Sequence, residues 1–372
     1  MPTRIGILGG GQLGQMLAQA GRCLGVQCRC YDPDPRACAA LACECVTAPF
    51  EDLDAIARFA EGCDVITYEF ENVPVTTVRH AERLRPVAPS PKDLEVAQDR
   101  GSEKAFFERS GLEVPAYRLV DGESLLKTAV AELGTPCVLK TRRGGYDGKG
   151  QAVIRGAGDV PGAWQAIGGK PAIVERMVPF TRELSVIAVR GGTGEFAHYP
   201  LVENTHARGI LRVSRAPAPG VPRSVEEEAI AHVRSLMETL QYVGVLAVEM
   251  FEVDGRLLAN EMAPRVHNSG HWTIEGAVTS QFENHLRAVA GMPLGDCSAR
   301  GASVMVNFIG AVPDEHAVLA VESAHAHLYG KAGRAQRKVG HATVVAGPGA
   351  AFDAIAPQVG ALKALAAACD IG

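Results

Sequence analysis

The sequence lacks several features that would each assign it to a class of protein. No apolar run approaches the roughly 20 residues of a membrane-spanning helix. A formal net charge of -5 gives no general attraction for nucleic acid or anionic lipid. Ten cysteines are present, but no two have the C-x-x-C spacing of a zinc or redox pair. Without a signal peptide, we expect reduced thiols in a cytoplasmic protein that has no membrane or nucleic-acid partner.

What is present indicates an ordinary globular chain. Its 372 residues, 47% hydrophobic and 21% charged, suffice for two or three domains. Strand patterns at 4–8, 26–31 and 65–68 alternate with helical patterns, the first at 15–24, which predicts an α/β layer with a mostly parallel sheet. Residues 86–91 hold three prolines and are predicted to be a linker.

Beyond this linker the strand patterns indicate hairpins rather than crossovers. We predict a separate antiparallel unit, helices and a further hairpin, then short strands from Ser303 onward that form a small C-terminal domain. The predicted strands are 138–140 paired with 151–154, then 172–177 and 184–189, and 243–251 paired with 256–262. The predicted helices are 99–110, 225–241 and 281–290.

The first motif, at residues 9–14, is G-x-G-x-x-G between a strand and a helix. Asp32 ends the next strand, where a ribose-binding acid would stand. Glycines let backbone N–H groups approach a ligand, and a helix N-terminus favours an anion. Three interpretations remain open: a nicotinamide dinucleotide, another phosphate ligand, or tight packing.

A second glycine-rich motif, at residues 140–151, lies between two strands and is therefore not a P-loop. Four glycines in seven residues would let its backbone fold over phosphates, while Lys140 and Lys149 supply positive charge. The alternative is a flexible basic hairpin at the surface.

Glu249 and Glu261 lie on the two strands of the second hairpin and could hold Mg²⁺ through carboxylate oxygens if they share a face. A two-residue turn at Asp254 and Gly255 would instead pair Glu249 with Asn260. The chemistry therefore predicts a three-residue turn or a β-bulge. The alternative is two glutamates that face solvent.

Residues 264–271 form a run dense in hydrogen-bonding groups. Arg265 could clamp an oxyanion, and His267 could bind a substrate or transfer a proton. The alternative is a histidine satisfied within the core or at the surface.

Taken together, these motifs resemble the ATP-grasp superfamily, and within it the N5-carboxyaminoimidazole ribonucleotide synthase (PurK) family. The run at 263–272 is the most specific part, and the segments 6–14, 140–151, 260–262, 281–295 and 337–341 are also similar. The resemblance implies a mixed α/β (α+β) fold: an N-terminal Rossmann-like (pre-ATP-grasp) domain at 1–95, a two-part ATP-grasp domain at 96–295 with a lid at about 115–180, and a C-terminal domain at 296–372.

The reaction implied is a ligation in which ATP and Mg²⁺ convert bicarbonate to carboxyphosphate, which carboxylates 5-aminoimidazole ribonucleotide. A homodimer is also implied. Two other functions stay open: a different ATP-grasp activity, such as formate-dependent formyl transfer to glycinamide ribonucleotide, and a nicotinamide-dependent oxidoreductase or non-catalytic nucleotide-binding protein built on residues 9–14.

Site residues follow from the resemblance position by position. Those implied at the nucleotide are Arg100, Lys140, Gly145, Tyr146, Asp147, Gly148, Lys149, Gly150, Gln151, Glu175, Arg176, Met177, Val178, Glu183, His206, Asn260 and Glu261, with Glu249 and Glu261 as the Mg²⁺ ligands. Those implied at the ribonucleotide are Gly11, Gln12, Asp147, Arg265, His267, Asn268, Ser269, Lys331, Arg337 and Lys338. Catalytic roles are implied for Arg265, His267, Lys149 and Tyr146.

Overall fold

A computed structural model describes residues 2–145 and 148–371. Tyr146 and Asp147, both predicted site residues, lie outside the described residues. Within the described residues the chain forms three sheets with helices packed on them, which confirms the predicted mixed α/β architecture. No helix in these ranges is both long and apolar enough to cross a bilayer.

The N-terminal sheet is parallel, as predicted, with the strand order β3-β2-β1-β4. Its strands are β1 (Arg4–Leu8), β2 (Gln27–Asp32), β3 (Glu44–Thr47) and β4 (Val65–Tyr68), and its helices are α1 (Gln12–Cys23), α2 (Leu53–Glu61) and α3 (Val75–Glu82). Helix α1 begins inside the glycine motif, three residues before the predicted start. Strand β3 was not predicted because its residues are only partly buried and show no apolar alternation.

The predicted linker at 86–91 is wrong over most of its length. Val87 makes a parallel bridge to Ile66, and α4 (Pro91–Ala97) begins at the last proline. Ser90 caps this helix in a capping box with Asp93, and a proline at the first helical position loses no hydrogen bond. The segment therefore continues the N-terminal layer and leads into α5 (Arg100–Arg109), which Asp99 caps and which confirms the helix predicted at 99–110.

A small antiparallel sheet follows, with the strand order β5-β8-β6-β7. Its strands are β5 (Tyr117–Val120), β6 (Cys137–Thr141), β7 (Gln151–Ile154) and β8 (Ala172–Arg176), and helices α6 (Glu123–Leu133) and α7 (Val160–Ala166) share its core. The predicted hairpin of 138–140 with 151–154 is confirmed. The predicted strand at 184–189 is real, but it belongs to a different sheet.

The central sheet has the strand order β14-β13-β9-β11-β12-β15-β17-β16, with β10 beside β9. Its strands are β9 (Arg182–Arg190), β10 (Phe196–His198), β11 (Val202–Ala207), β12 (Ile210–Ala216), β13 (Gly244–Val253), β14 (Arg256–Ala263), β15 (Ser303–Ile309), β16 (Ala324–Leu328) and β17 (Lys338–Val345). The helices around it are α8 (Arg223–Leu240), α9 (Thr273–Gly276), α10 (Gln281–Val289), α11 (Glu315–Leu319) and α12 (Ala356–Cys369). Because β12 pairs with β15, the C-terminal strands extend the sheet that carries the Glu249 hairpin.

His285 on α10 joins the N-terminal layer to the central sheet. Its Nε2 lies 2.8 Å from Thr67 Oγ1 on β4, and the Val245 N–H of β13 donates to its Nδ1 at 3.1 Å. Since Nδ1 accepts, the neutral ring carries its proton on Nε2. Burial lowers the pKa of His285 to about 4.

This depressed pKa makes the stability of the junction depend on pH. In the unfolded chain His285 takes up a proton near pH 6.5, whereas in the folded chain it stays neutral down to about pH 4. The contribution of His285 to the free energy of unfolding is therefore fully present above pH 6.5 and is lost as the pH falls toward 4. We expect His285 to account for a loss of about 2 kcal/mol in the free energy of unfolding between pH 7 and pH 5. Urea titrations at pH 7 and pH 5 measure this change in the free energy of unfolding for the wild-type protein and for His285→Gln. The variant His316→Gln, at an exposed histidine, is the control. Equal pH dependence of wild type and His285→Gln would contradict this.

Candidate active site

The two glutamates of the β13–β14 hairpin are brought together by a β-bulge. The turn is the two-residue form, with Asp254 and Gly255 at φ 50° and 76° and Val253 paired with Arg256. The register then shifts next to Glu249, so that Glu249 pairs with Glu261 and Asn260 becomes the extra residue. The predicted bulge is confirmed, and the three-residue turn is wrong.

The two carboxylates differ sharply in charge state. Burial, and then repulsion by Glu261, raise the pKa of Glu249 to about 7. Burial also acts on Glu261, but the Arg100 guanidinium, whose Nη1 lies 2.8 Å from Glu261 Oε2, lowers its pKa to about 2. A bound cation would let both carboxylates ionise.

The donor set fits Mg²⁺. Among the described residues no group of three or more His, Cys, Asp or Glu side chains could hold a metal ion. However, Mg²⁺ is usually held by one or two carboxylates together with phosphate oxygens. Besides the two glutamates, Asn260 Oδ1 is buried without a hydrogen-bond partner among the described residues. All three are hard oxygen donors, so the residues present suit Mg²⁺ better than a softer metal.

Glu175, at the end of β8, is held between two lysines. Its Oε1 lies 2.9 Å from Lys104 Nζ and its Oε2 lies 2.5 Å from Lys140 Nζ. Burial opposes ionisation of Glu175, but Lys140 and Lys104 hold its pKa well below the usual range. The structure thus fixes Lys140 beside Glu175, a residue implied at the nucleotide.

Lys104 and Glu103 were missed from the sequence. Lys104 Nζ also donates to the Asn260 carbonyl at 2.7 Å, and Glu103 Oε1 accepts from the Met262 N–H at 2.7 Å. Both follow Arg100 by three or four residues on α5, so they share its helical face. Because the helix was predicted correctly, this spacing from Arg100 could have identified Glu103 and Lys104 as residues near the site.

The remaining nucleotide residues lie on or next to strands of the small sheet and the central sheet. Arg176 ends β8, Met177 N–H donates to the Pro136 carbonyl at 3.0 Å, and Val178 follows before β9. Phe180 stacks on Phe251 at 4.8 Å between ring centroids. Glu183 on β9 is hydrogen-bonded to His206 Nδ1 on β11.

The described part of the glycine-rich loop packs against the β11–β12 turn. Gly148 and Gly150 have φ values of 76° and 70°, which favour glycine. A Cβ on Gly148 would lie 2.5 Å from the Arg208 carbonyl oxygen, and Gln151 Nε2 lies 2.8 Å from where a Cβ on Gly209 would be. This part of the loop, which also contains Lys149, therefore contacts the turn between two strands of the central sheet.

A buried row of polar residues crosses the central sheet beside the glutamates. Glu261, Glu249 and Ser185 are consecutive register partners on β14, β13 and β9. Asn204 and Ser214 are partners on β11 and β12. Asn204 Nδ2 donates to Ser185 Oγ at 2.8 Å, and Ser214 Oγ donates to Asn204 Oδ1 at 2.8 Å.

This row ends on His267. Ser185 Oγ donates to Ser269 Oγ at 2.9 Å, which leaves the Ser269 hydroxyl to donate to His267 Nδ1 at 2.8 Å. The neutral ring therefore carries its proton on Nε2, which lies 3.8 Å from Glu249 Oε1. Burial, and then the Arg265 charge, lower the pKa of His267 to about 3, so the ring is neutral near pH 7.

The acceptor-side residues cluster at the carboxyl ends of the parallel strands. Arg265 Nη2 lies 2.8 Å from Glu71 Oε1, and Lys331 Nζ donates to Gln12 Oε1. Burial lowers the pKa of Lys331, and repulsion by Arg337 and Lys338 adds to this effect. Asn268 Nδ2 donates to Asn307 Oδ1 at 3.1 Å.

The glycine motif is occupied by the chain's own carboxylates. The Gly10 N–H donates to Asp32 Oδ2 and the Gly11 N–H to Glu69 Oε1, each at 2.7 Å. These amides are therefore not open to a pyrophosphate, which weighs against the dinucleotide interpretation. Glu69 and Glu71 were missed, although their position directly after β4 is where open α/β sheets bind ligands.

Comparisons with known proteins agree along most of the chain. Residues 1–98 match the ribonucleotide synthetase pre-ATP-grasp domain, 105–282 the ATP-grasp domain and 303–353 the phosphoribosylaminoimidazole carboxylase C-terminal domain. The N5-carboxyaminoimidazole ribonucleotide synthase of Pseudomonas aeruginosa is 50% identical, over 96% of this chain and 99% of that protein. That of Bacillus subtilis is 41% identical, over 92% of each.

Solved structures give the same result. The N5-carboxyaminoimidazole ribonucleotide synthetase of Thermus thermophilus is 53% identical with a TM-score of 0.92, covering 97% of this chain and 98% of that one. The Aspergillus clavatus synthase, solved with ADP and 5-aminoimidazole ribonucleotide, is 31% identical with a TM-score of 0.89, covering 98% and 99%. The predicted ATP-grasp fold is confirmed, and the chain belongs to the N5-carboxyaminoimidazole ribonucleotide synthase family of ATP-grasp ligases.

Proposed function

We propose that this chain uses ATP to phosphorylate bicarbonate and transfers the carboxyl group of the resulting carboxyphosphate to the amino group of 5-aminoimidazole ribonucleotide. The products are N5-carboxyaminoimidazole ribonucleotide, ADP and phosphate. One observation carries the proposal beyond family membership: His267 Nε2 lies 3.8 Å from Glu249 Oε1, while Arg265 two residues earlier contacts the acceptor-side Glu71. The run at 263–272 therefore adjoins both halves of the site.

On the nucleotide side, phosphoryl transfer needs positioning and neutralisation of charge. Lys140 is held by an ion pair with Glu175, and Arg100 by one with Glu261. Their charged groups are therefore in position before ATP binds. Glu249, Glu261 and the Asn260 side-chain oxygen would hold Mg²⁺, which would neutralise the phosphate oxygens. The glycine-rich loop would cover the phosphates and keep water from carboxyphosphate.

On the acceptor side, the geometry favours binding over proton abstraction for His267. Its Nδ1 accepts a hydrogen bond from Ser269, which leaves Nε2–H as the group that can bind the substrate. This N–H can donate a hydrogen bond to an oxygen of the carboxyl group. Arg265 would bind the same anion, and Lys331, Arg337 and Lys338 would hold the ribonucleotide phosphate, with Gly11 and Gln12 beside it. Arg265, His267, Lys149 and Tyr146 remain our proposed catalytic residues.

We also propose a cytoplasmic homodimer and the domain division at 1–95, 96–295 and 296–372. Support comes from the family resemblance and, for the lid at about 115–180 within the second domain, from the separate hydrophobic core of the small sheet. Light scattering of the purified protein measures its molar mass in solution, and we expect twice the chain mass of 39.2 kDa.

The test of the function is ADP release with each substrate omitted in turn. We expect fast ADP formation only with ATP, bicarbonate and 5-aminoimidazole ribonucleotide together. Stimulation by formate with glycinamide ribonucleotide would favour the formyl transferase instead, and oxidation of NADH would favour the oxidoreductase. Failure of bicarbonate and the ribonucleotide to stimulate ADP release would overturn the proposal.

A further inference from the structure

The face of the N-terminal sheet that α1 covers carries thiols that the proposed reaction does not use. Cys28 and Cys30 lie on β2, and Cys45 on β3 is the register partner of Cys30. Cys43, two residues before Cys45, places its Sγ 3.4 Å from Cys30 Sγ. We propose that Cys43 and Cys30 form a reversible disulfide, and that Cys43 is the one of these two thiols that an oxidant meets first.

Access distinguishes the two thiols. Cys43 is half-buried and, with Cys28, lines a surface cavity of about 450 Å³, whereas Cys30 is fully buried. The cavity lies where the strands begin, at Arg4 on β1 and Glu44 on β3, which is the opposite end of the sheet from the glycine motif. A small oxidant can therefore reach Cys43 without entering the active site.

The surroundings of Cys43 favour its thiolate, which is the reactive form. Arg22 Nη2 donates to the Ala42 carbonyl at 2.8 Å, which holds a guanidinium beside Cys43. Hydrogen bonding with Cys30, and to a lesser degree Arg22, lower the pKa of Cys43 in spite of burial. Two neighbouring thiols differ, because burial raises the pKa of Cys45 to about 11 and that of Cys28 to about 12.

The chemistry balances with hydrogen peroxide as the oxidant. The Cys43 thiolate attacks one peroxide oxygen, an S–O bond forms, and the O–O bond breaks to release hydroxide. Cys30 Sγ then attacks the sulfenic sulfur, the S–S bond forms, the S–O bond breaks, and water leaves with the Cys30 proton. Two thiols lose two electrons and one peroxide becomes two waters. With an S–S bond of about 2.05 Å, the sulfurs need to approach by only about 1.3 Å.

The bond would fasten a segment that packs on the glycine motif. The loop that it closes contains the 3₁₀ turn Cys38–Leu41, in which the Ala39 N–H donates to the Gly10 carbonyl at 2.9 Å. A thiol pair at this position is thus connected by backbone contacts to residues 9–11.

The experiment treats the full-length protein with equimolar hydrogen peroxide, alkylates the remaining thiols and maps them by tandem mass spectrometry. We expect a Cys30–Cys43 crosslink, lighter than the two thiol peptides by two hydrogens and reversed by dithiothreitol. Without peroxide, iodoacetamide should modify Cys43 about tenfold faster than Cys45.

Variants sharpen the test. Cys43→Ser should abolish the crosslink, matched Cys45→Ser should retain it, and Cys30→Ser should leave a sulfenic acid on Cys43 that dimedone traps. A wild-type disulfide between any other pair, or no disulfide together with equal alkylation of Cys43 and Cys45, would overturn the proposal. The readouts do not depend on turnover, so they stand apart from the proposed ligase activity.

Discussion

Glu261→Gln is expected to lower kcat by roughly 10²–10³-fold, comparable to removal of one strong electrostatic contact to a transition state. The substitution removes a carboxylate charge where Glu249 and Glu261 face each other across the bulge. Glutamine keeps the volume and can still accept the hydrogen bond from Arg100 Nη1. The loss should therefore fall on turnover while the far-ultraviolet circular dichroism spectrum stays the same. Steady-state ADP release at saturating substrates measures it.

Glu252→Gln is the matched control. Glu252 lies on the same strand three residues from Glu249, so alternation places it on the opposite face of the sheet. There it is buried and pairs with Arg182 at 2.9 Å. We expect this variant to lose some stability and keep its kcat. Equal loss of kcat in both variants, or full activity of Glu261→Gln, would refute the metal role.

His267→Asn is expected to reduce ribonucleotide-dependent turnover by about 10²-fold or more while ATP affinity changes little. Asparagine is too short to place a donor where Nε2 stands, although it can still meet Ser269. The carboxyl group would then lose a fixed hydrogen-bond donor in the transition state. Comparing kcat for the complete reaction with ATP binding by calorimetry separates the two effects. Equal damage to both would argue against an acceptor-side role.

His267→Gln distinguishes a donor from a base. The glutamine amide can place an N–H near the Nε2 position but cannot take up a proton. If His267 works as a donor, His267→Gln should recover a substantial part of the activity that His267→Asn loses. If the two variants are equally inactive, and the pH profile of the wild-type protein shows an ionisation that both variants lack, His267 acts as a base.

Much of the fold was predictable because its signals are local. The parallel N-terminal strands, helix α5 and the hairpin of β13 with β14 follow from apolar patterns and turn residues. The bulge was predictable for a different reason. A regular hairpin with a two-residue turn pairs Glu249 with Asn260, so Glu249 and Glu261 share a face only if one extra residue is inserted. Chemistry fixed a register that the turn residues alone would have assigned wrongly.

The parts that the sequence did not predict depend on contacts between distant segments. Ser185, Asn204 and Ser214 orient His267 only because β9, β11 and β12 are neighbours in the central sheet. Strand order is set by long-range packing, and an isolated serine in a strand carries no sign of its partner. Glu69 and Glu71 were overlooked for a similar reason, since their partners Gly11 and Arg265 are about 60 and 190 residues away in sequence.

The linker error has a local cause. Prolines at 86, 89 and 91 resemble a flexible connection, yet Pro91 is the favoured first residue of a capped helix. Reading Ser90 and Asp93 together with Pro91 as one capping unit would have predicted α4.

The most direct measurement of the central claim follows carbon from labelled bicarbonate. The protein is incubated with ATP, Mg²⁺, [¹⁴C]bicarbonate and 5-aminoimidazole ribonucleotide, and the reaction is quenched in alkali because the carbamate product is acid-labile. We expect acid-labile label on the ribonucleotide in a one-to-one ratio with ADP, and none when ATP or the ribonucleotide is omitted. ADP formation without labelled ribonucleotide, at full substrate saturation, would contradict the account.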